Sequence, residues 1–223
     1  MSLQITIANQ KGGCGKTTTA MNLAGVFTKI GYSVLVIDAD PQRSALRWSR
    51  AQGEGNLPFR VADPASAEAS LQDNYELVFV DCPPGMEGDA RAGRQVRNFI
   101  ARSDGILVPL MPSSLDYSAA TSFVNFLRET KAPETKTAIV LNAVQHNRLG
   151  AQAAAAAAAL FASIPGAVVL PTTIGRRTLI TEVSGSGKTI LDYAGPRHLA
   201  TAEYTNLAKD ILQWLTNAPP SSL

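Results

Sequence analysis

The chain has 223 residues, of which 45% are hydrophobic and 17% charged, and its formal net charge is only +2. That composition excludes a disordered chain, and the charge is too mild to announce a polyanionic partner unless a local patch does so. Two cysteines, Cys14 and Cys82, give neither a disulfide framework nor a CxxC pair, and no stretch reaches the ~18 apolar residues of a spanning helix. The expectation is a soluble cytoplasmic protein without a signal peptide.

In chain order, "LQITIA" (3–8) is a nearly continuous apolar run, as a strand buried on both faces of a parallel sheet should be. A glycine-rich stretch follows, then a helix over 16–30. "SVLVIDA" (33–39) is a second buried strand, followed by a helix over 43–52 and a weaker strand, "FRVAD" (59–63), suited to a sheet edge. "ELVFVD" (76–81), "GILVPL" (105–110), "TAIVLNAV" (137–144) and "AVVLPT" (167–172) continue the strands. Between and after them, helices are expected over 91–102, 116–131, 150–162, 177–184 and 198–216, the third of these built on an alanine-rich run, 151–159. The alternation predicts an α/β fold: one doubly wound, mostly parallel sheet flanked by helices in a single domain over 1–217, with a frayed tail at 218–223.

The stretch "KGGCGKT" (11–17) stands between the first strand and the first helix, where a phosphate-binding loop belongs. Gly12, Gly13 and Gly15 let backbone N–H groups turn inward around phosphate oxygens at the positive end of a helix. Lys16 is placed to reach the β- and γ-phosphates, and the Thr17 hydroxyl to ligate Mg²⁺. The metal needs a carboxylate at the end of a neighbouring buried strand, and Asp81 in "VFVDCPPG" supplies one. "VIDADPQ" offers Asp38 and Asp40; spaced i and i+2, they point to one side of a strand. One of the two can be structural; Asp40, lying further out, is the candidate for chemistry, and Asp38 joins Thr17 and Asp81 as a candidate for the metal. "GSGKT" at 185–189 mimics the tail of a second phosphate loop, but position 182 is Glu182 and no buried strand precedes it. It is expected to be a flexible loop with Lys188 in solvent.

These motifs, in this order, resemble those of the ParA/MinD ATPases, whose deviant phosphate loop reads KGGxxGK[ST]. "DPQRSALRWSRA" and "PLMPSSLDYSAA" look like the small ParA-type plasmid partition proteins of the ParF kind. The resemblance implies a P-loop NTPase fold and ATP hydrolysis with Mg²⁺. It implies that Lys11 reaches across an ATP-bound homodimer to the partner's phosphates, that Asp40 orients the attacking water and that Asp81 holds Mg²⁺ through water. The loop residues Gly12, Gly13, Cys14, Gly15, Lys16, Thr17 and Thr18 would cradle the phosphates. Asn142 is implied in adenine recognition, and the segment Pro171–Ile174 would pack on the base. Either could equally be ordinary strand-end structure.

Hydrolysis without a small-molecule acceptor points to a switch. The expectation is a nucleoid-associated prokaryotic ATPase that binds non-specific DNA through Arg176, Arg177 and Lys188. It would segregate or position a plasmid, chromosome or protein cargo with a stimulating partner protein, a centromere-binding or cargo adaptor. The alternatives are a positioning ATPase for a carboxysome or chemosensory cluster, an ATP-driven polymer through the segment 109–112, and a metal-cluster carrier. The C-terminal helix carries one tryptophan and few basic residues, which argues against membrane targeting.

Overall fold

The computed structural model describes residues 2–51, 56–70, 75–85, 90–112, 114–145 and 147–216; the expected tail, 218–223, lies outside them. Among the described residues, β1 (Leu3–Ile7), β2 (Val34–Asp38), β3 (Arg60–Ala62), β4 (Leu77–Asp81), β5 (Gly105–Leu110), β6 (Lys136–Val144) and β7 (Val168–Gly175) form one sheet in the order β3-β2-β4-β1-β5-β6-β7. Every pairing is parallel. The chain winds from β1 outward to β2 and β3, returns to β4, then crosses to β5, β6 and β7. Ligands of such sheets sit at the carboxyl ends of the strands where the winding reverses. Here that is the end of β1 and β4.

The helices are α1 (Lys16–Lys29), α2 (Ser44–Arg50), α3 (Pro64–Ser70), α4 (Ala90–Ala101), α5 (Ser114–Thr130), α6 (Arg148–Phe161), α7 (Thr178–Glu182), α8 (Ile190–Ala194) and α9 (Leu199–Thr216). Alternate strand residues feed two cores. On one face Ile5, Val36 and Phe79 pack with Met21 and Phe27 of α1 and Leu207 and Ile211 of α9. On the other, Leu35, Val78 and Ile106 pack with Ile100 of α4, Phe123 of α5 and Phe161 of α6. Each such fully buried side chain stabilises the fold by about 1.5–3 kcal/mol.

β3 is an edge strand, as its short and weakly apolar sequence predicted. β7 instead runs three residues beyond the expected end at 172, to Gly175. Its register against β6 is irregular, which hides the strand from a periodicity count. α3 and α8 were not anticipated. α3 opens on a cap written in the sequence, Asp63 accepting the Ser66 N–H ahead of Pro64, while at the start of α8 the Thr189 hydroxyl donates to the Asp192 carboxylate in its first turn.

The segment 185–189 is not the flexible loop expected. Val183–Ser186 form a 3-10 turn, the Trp48 Nε1 donates to the Lys188 carbonyl at 2.9 Å, and Thr189 is buried against Gly25 of α1. The Lys188 side chain is exposed, as read.

Candidate nucleotide site

The chain leaves the sheet after Ala8, whose N–H still bonds the Leu107 carbonyl. Asn9 then fastens the loop entrance to β5. Its Nδ2 donates to the Pro109 carbonyl at 2.7 Å, and its Oδ1 accepts the Lys11 N–H at 3.2 Å. Gly13 and Gly15 take φ of 77° and 92°, the left-handed turns that aim successive N–H groups inward as an anion nest. Gly15 is also the N-cap of α1, and no side chain caps that helix. Its first amides and the positive end of its dipole are left to an anion. A Cβ on Gly15 would stand 2.6 Å from the Asn142 Nδ2, so the position requires glycine twice over.

Lys16 is 6% exposed, and its Nζ donates to the Lys11 carbonyl at 3.0 Å, 3.9 Å from the Cys14 Sγ. The Cys14 thiol donates to the same carbonyl at 3.3 Å. Lys16 therefore spans the inside of the loop. Lys11 is half-buried at the entrance, with its N–H and carbonyl both bonded within the turn, and Gly12 and Gly13 are exposed.

The sheet itself delivers the carboxylates. β2 and β4 are neighbours, and Asp38 pairs in register with Asp81. Asp81 is fully buried, and neither of its oxygens has a hydrogen-bond partner among the described residues. Burial raises its pKa to about 7; the Thr17 hydroxyl opposes the rise, Asp38 adds to it, and Lys16 opposes it. A buried carboxylate without a partner is costly. It fits a Mg²⁺ ion, which takes one or two protein oxygens and completes its shell with phosphates and water.

Asp38 is placed differently, although it too is buried. Its Oδ2 accepts the Leu46 N–H at 2.9 Å and its Oδ1 the Asp40 N–H at 3.2 Å, so both oxygens hold the turn into α2. Burial raises its pKa despite those bonds. Asp40 is half-buried beyond the strand end and accepts the Gln42 N–H at 2.8 Å. Arg43, which closes this turn, has φ of 53°, a left-handed conformation unusual for a residue with a side chain. Cys82 is buried, and burial together with the adjacent Asp81 carboxylate pushes its thiol pKa upward.

A cavity of about 390 Å³ opens beside the loop, lined by Gly13, Gly15, Thr18, Asn142, Ile174 and Arg177 among others. Asn142 lies there, as expected of a base-site residue, but its amide is engaged elsewhere. Nδ2 donates to the Cys14 carbonyl at 3.0 Å and to the Thr19 hydroxyl at 3.1 Å. Its Oδ1 is buried without a partner among the described residues. Ala143, at φ of 50°, marks the bulge in β6 that turns the chain here.

Two expectations are corrected. Pro171 does not reach the loop: β7 continues past it, and it lines a separate cavity with Trp214 at the other end of the strand. Only Ile174, of that segment's two ends, lines the cavity beside the loop. Arg177 is not an open cation, because Glu203 of α9 binds its guanidinium at 2.5 and 2.7 Å. Arg176 and Lys188 are exposed. Sequence reasoning missed Asn9, Thr19 and Glu203, whose partners lie 26 to 123 residues away.

No helix among the described residues is long and apolar enough to cross a membrane. The profile of the CobQ/CobB/MinD/ParA nucleotide binding domain matches residues 5–191. The maintenance of carboxysome distribution protein A of Halothiobacillus neapolitanus is 28% identical over 219 residues, covering 93% of this chain and 95% of that protein. The chromosome-partitioning ATPase Soj of Thermus thermophilus is 28% identical over 247 residues, covering 94% and 95%. The septum site-determining protein MinD of Pyrococcus horikoshii, solved with Mg-ADP, superposes with a TM-score of 0.72 at 18% identity over 95% of this chain and 96% of that one. The chain belongs to the CobQ/CobB/MinD/ParA nucleotide-binding family and is a P-loop ATPase of the ParA/MinD type, using ATP with Mg²⁺.

Proposed function

We propose that this ATPase is a positioning switch. ATP holds two copies of the chain together, the dimer binds DNA without reading its sequence, and hydrolysis stimulated by a partner protein releases it. The observation that carries this reading is the pair of lysines in one loop: Lys16 lies buried inside it, while Lys11 stands at its entrance with its backbone fixed. A second lysine at the rim adds little to a monomer that already has Lys16, but it serves a phosphate group facing it from another copy. The names of the relatives, carboxysome distribution and chromosome partitioning, agree with this use.

In this reading the inward amides of Gly12, Gly13, Cys14 and Gly15 hold the phosphates, with Lys16, Thr17 and Thr18 at the start of α1. Thr17 and Asp81, the latter through water, would hold the metal, and Asp38 shapes the turn beside it. A Mg²⁺ ion held by these residues would supply positive charge to offset the charge that develops on the phosphate oxygens. Asp40 orients the attacking water, and Lys11 of the partner subunit adds a positive charge, as an arginine finger does. Asn142 joins the base site to the loop. The domain runs over 1–217, acts in the cytoplasm on the nucleoid, and needs no membrane.

The DNA contacts fall to Arg176 and Lys188, as phosphate contacts with marked salt dependence. The test is fluorescence anisotropy of a labelled duplex of arbitrary sequence with the ATP-loaded protein, at rising salt. Binding that needs ATP and that Arg176→Glu abolishes is the expected result. An ATP-loaded dimer that ignores DNA at low salt ends the proposal. The carboxysome-distribution relative favours a protein assembly as cargo, which pull-down of an adaptor together with shell or enzyme components would reveal.

A further inference from the structure

β7 is an edge strand, so the N–H groups on its outer side meet no neighbouring strand. Helix α9 crosses that edge and supplies acceptors instead. Asp210 Oδ2 takes the Thr172 N–H at 2.9 Å, and Glu203 Oε2 takes the Gly175 N–H at 3.1 Å. Seven helical residues rise about 10.5 Å and three strand residues about 10 Å, so the two carboxylates match the two amides in spacing. In a regular strand, amides three residues apart face opposite edges. The irregular register between β6 and β7 lifts that constraint.

Glu203 holds more than an amide. Arg177 donates to it from Nη1 at 2.5 Å and from Nη2 at 2.7 Å, a fork-to-fork pair of charge-assisted bonds. Nη1 also reaches the Gly175 carbonyl at 3.3 Å, and a Cβ on Gly175 would come within 2.8 Å of the guanidinium. The side chain thus folds back under the end of its own strand. Both partners are largely buried, with side-chain exposures of 21% and 17%. Ile174, Gly175 and Arg177 line the 390 Å³ cavity whose other wall is the phosphate loop at Gly13 and Gly15. The neighbouring Arg176 is exposed, its N–H bonded to the Val144 carbonyl at 3.0 Å.

We propose that Arg177 and Glu203 are positioning residues for the nucleotide: their ion pair sets the end of β7 against the phosphate loop and so fixes the width of the site. This rests on reading the cavity as the seat of the nucleoside. Arg177 acts on ATP binding, and its neighbour Arg176 faces outward. Two adjacent arginines thereby divide between the two ligands of the switch.

The test measures KM and kcat for ATP, thermal midpoint and DNA affinity at saturating ATP on the full chain. Glu203→Gln keeps an acceptor for the Gly175 N–H but loses the charged fork. It should raise KM about tenfold, equivalent to about 1.4 kcal/mol, with kcat within about twofold. Arg177→Ala should do the same, and Arg177→Lys should recover part of the loss because lysine cannot fork. Combining Arg177→Ala with Glu203→Gln should cost no more than either alone, the sign of one coupled unit. An unchanged KM in a folded Glu203→Gln protein overturns the proposal; should that variant not fold, an unchanged KM in Arg177→Lys does so. Arg177→Ala with normal KM but weakened DNA binding also overturns it and returns Arg177 to the DNA face. The nucleoside seat is tested separately by Thr181→Trp, which places an indole at an exposed position lining the cavity. Normal KM in that variant removes the seat whatever the ion pair does.

Discussion

Asn142 is the residue on which the phosphate loop hangs from β6, and Asn142→Ala tests that directly. The substitution removes two hydrogen bonds from one buried amide, to the Cys14 carbonyl at 3.0 Å and to the Thr19 hydroxyl at 3.1 Å. At about 1 kcal/mol net for each bond, the loss is about 2 kcal/mol. The Asn142 Oδ1, which has no partner among the described residues, leaves at the same time. The expected destabilisation is therefore about 2 kcal/mol, read by urea unfolding of nucleotide-free protein. ATP affinity should fall by about tenfold, since the peptide at Cys14 and Gly15 is then free to turn away from the phosphates. Asn142→Asp should do worse on both counts, because a carboxylate faces the carbonyl that needs a donor. Thr19→Val, which removes only one of the two bonds, should cost about 1 kcal/mol. ATP affinity within twofold of the unsubstituted protein in Asn142→Ala would refute the clamp. So would a loss confined to discrimination between nucleotide bases, with stability untouched.

Three further outcomes follow from the same geometry. Asp81 binds its proton more tightly folded, at about 7 against an ordinary 3.8, so nucleotide-free protein should lose stability as pH rises from about 4 to 7 and change little above. Asp81→Asn should flatten that slope and stabilise the metal-free protein at pH 8 by up to about 4 kcal/mol; a stability curve unaltered by the substitution contradicts the assignment. Lys11→Ala should abolish ATP turnover while a fluorescent ATP analogue still binds, and Asp40→Ala should trap an ATP-bound dimer detectable by light scattering; normal hydrolysis by Lys11→Ala ends the two-subunit account. Gly25→Ala would ordinarily strengthen a helix by about 1 kcal/mol. Here its Cβ would stand 2.6 Å from the Thr189 Cγ2, so destabilisation by about 1–3 kcal/mol in urea is expected instead.

What was legible in the sequence is what depends on neighbours in the chain. The phosphate loop, the strand ending in Asp81 and the pair Asp38 and Asp40 each carry their geometry within a few residues. So do the buried strands, whose apolar runs need no partner to be recognised. The cap of α3, Asp63 ahead of Pro64, and the Thr189–Asp192 pair at the start of α8 were also written locally and could have been read. The irregular end of β7 could not, because its register depends on a bulge in another strand.

The residues that shape the site beyond its loop were hidden for a different reason. Thr19 and Asn22 are polar positions on the face of α1 that packs into the core, and in isolation they look like flaws in an apolar stripe. Their partners come from the far end of the chain. Asn142 donates to the Thr19 hydroxyl, and the Asn22 Oδ1 accepts the Ile190 N–H at 2.7 Å. Tyr204 is buried in the same core, and its burial raises the hydroxyl pKa while Asn22 and Thr19 oppose the rise. Buried polar groups bonded to specific partners fix one arrangement where apolar contacts would tolerate several. The helix that opens at the phosphate loop is thus keyed to β6, α8 and α9, so the loop's position is set by residues more than a hundred places along the chain. Substitution at Thr19 or Asn22 should therefore disturb nucleotide binding although neither faces the phosphates, and Asn22→Leu, which keeps the branched shape but loses the bond to Ile190, is the variant in which ATP affinity should fall with the loop sequence intact.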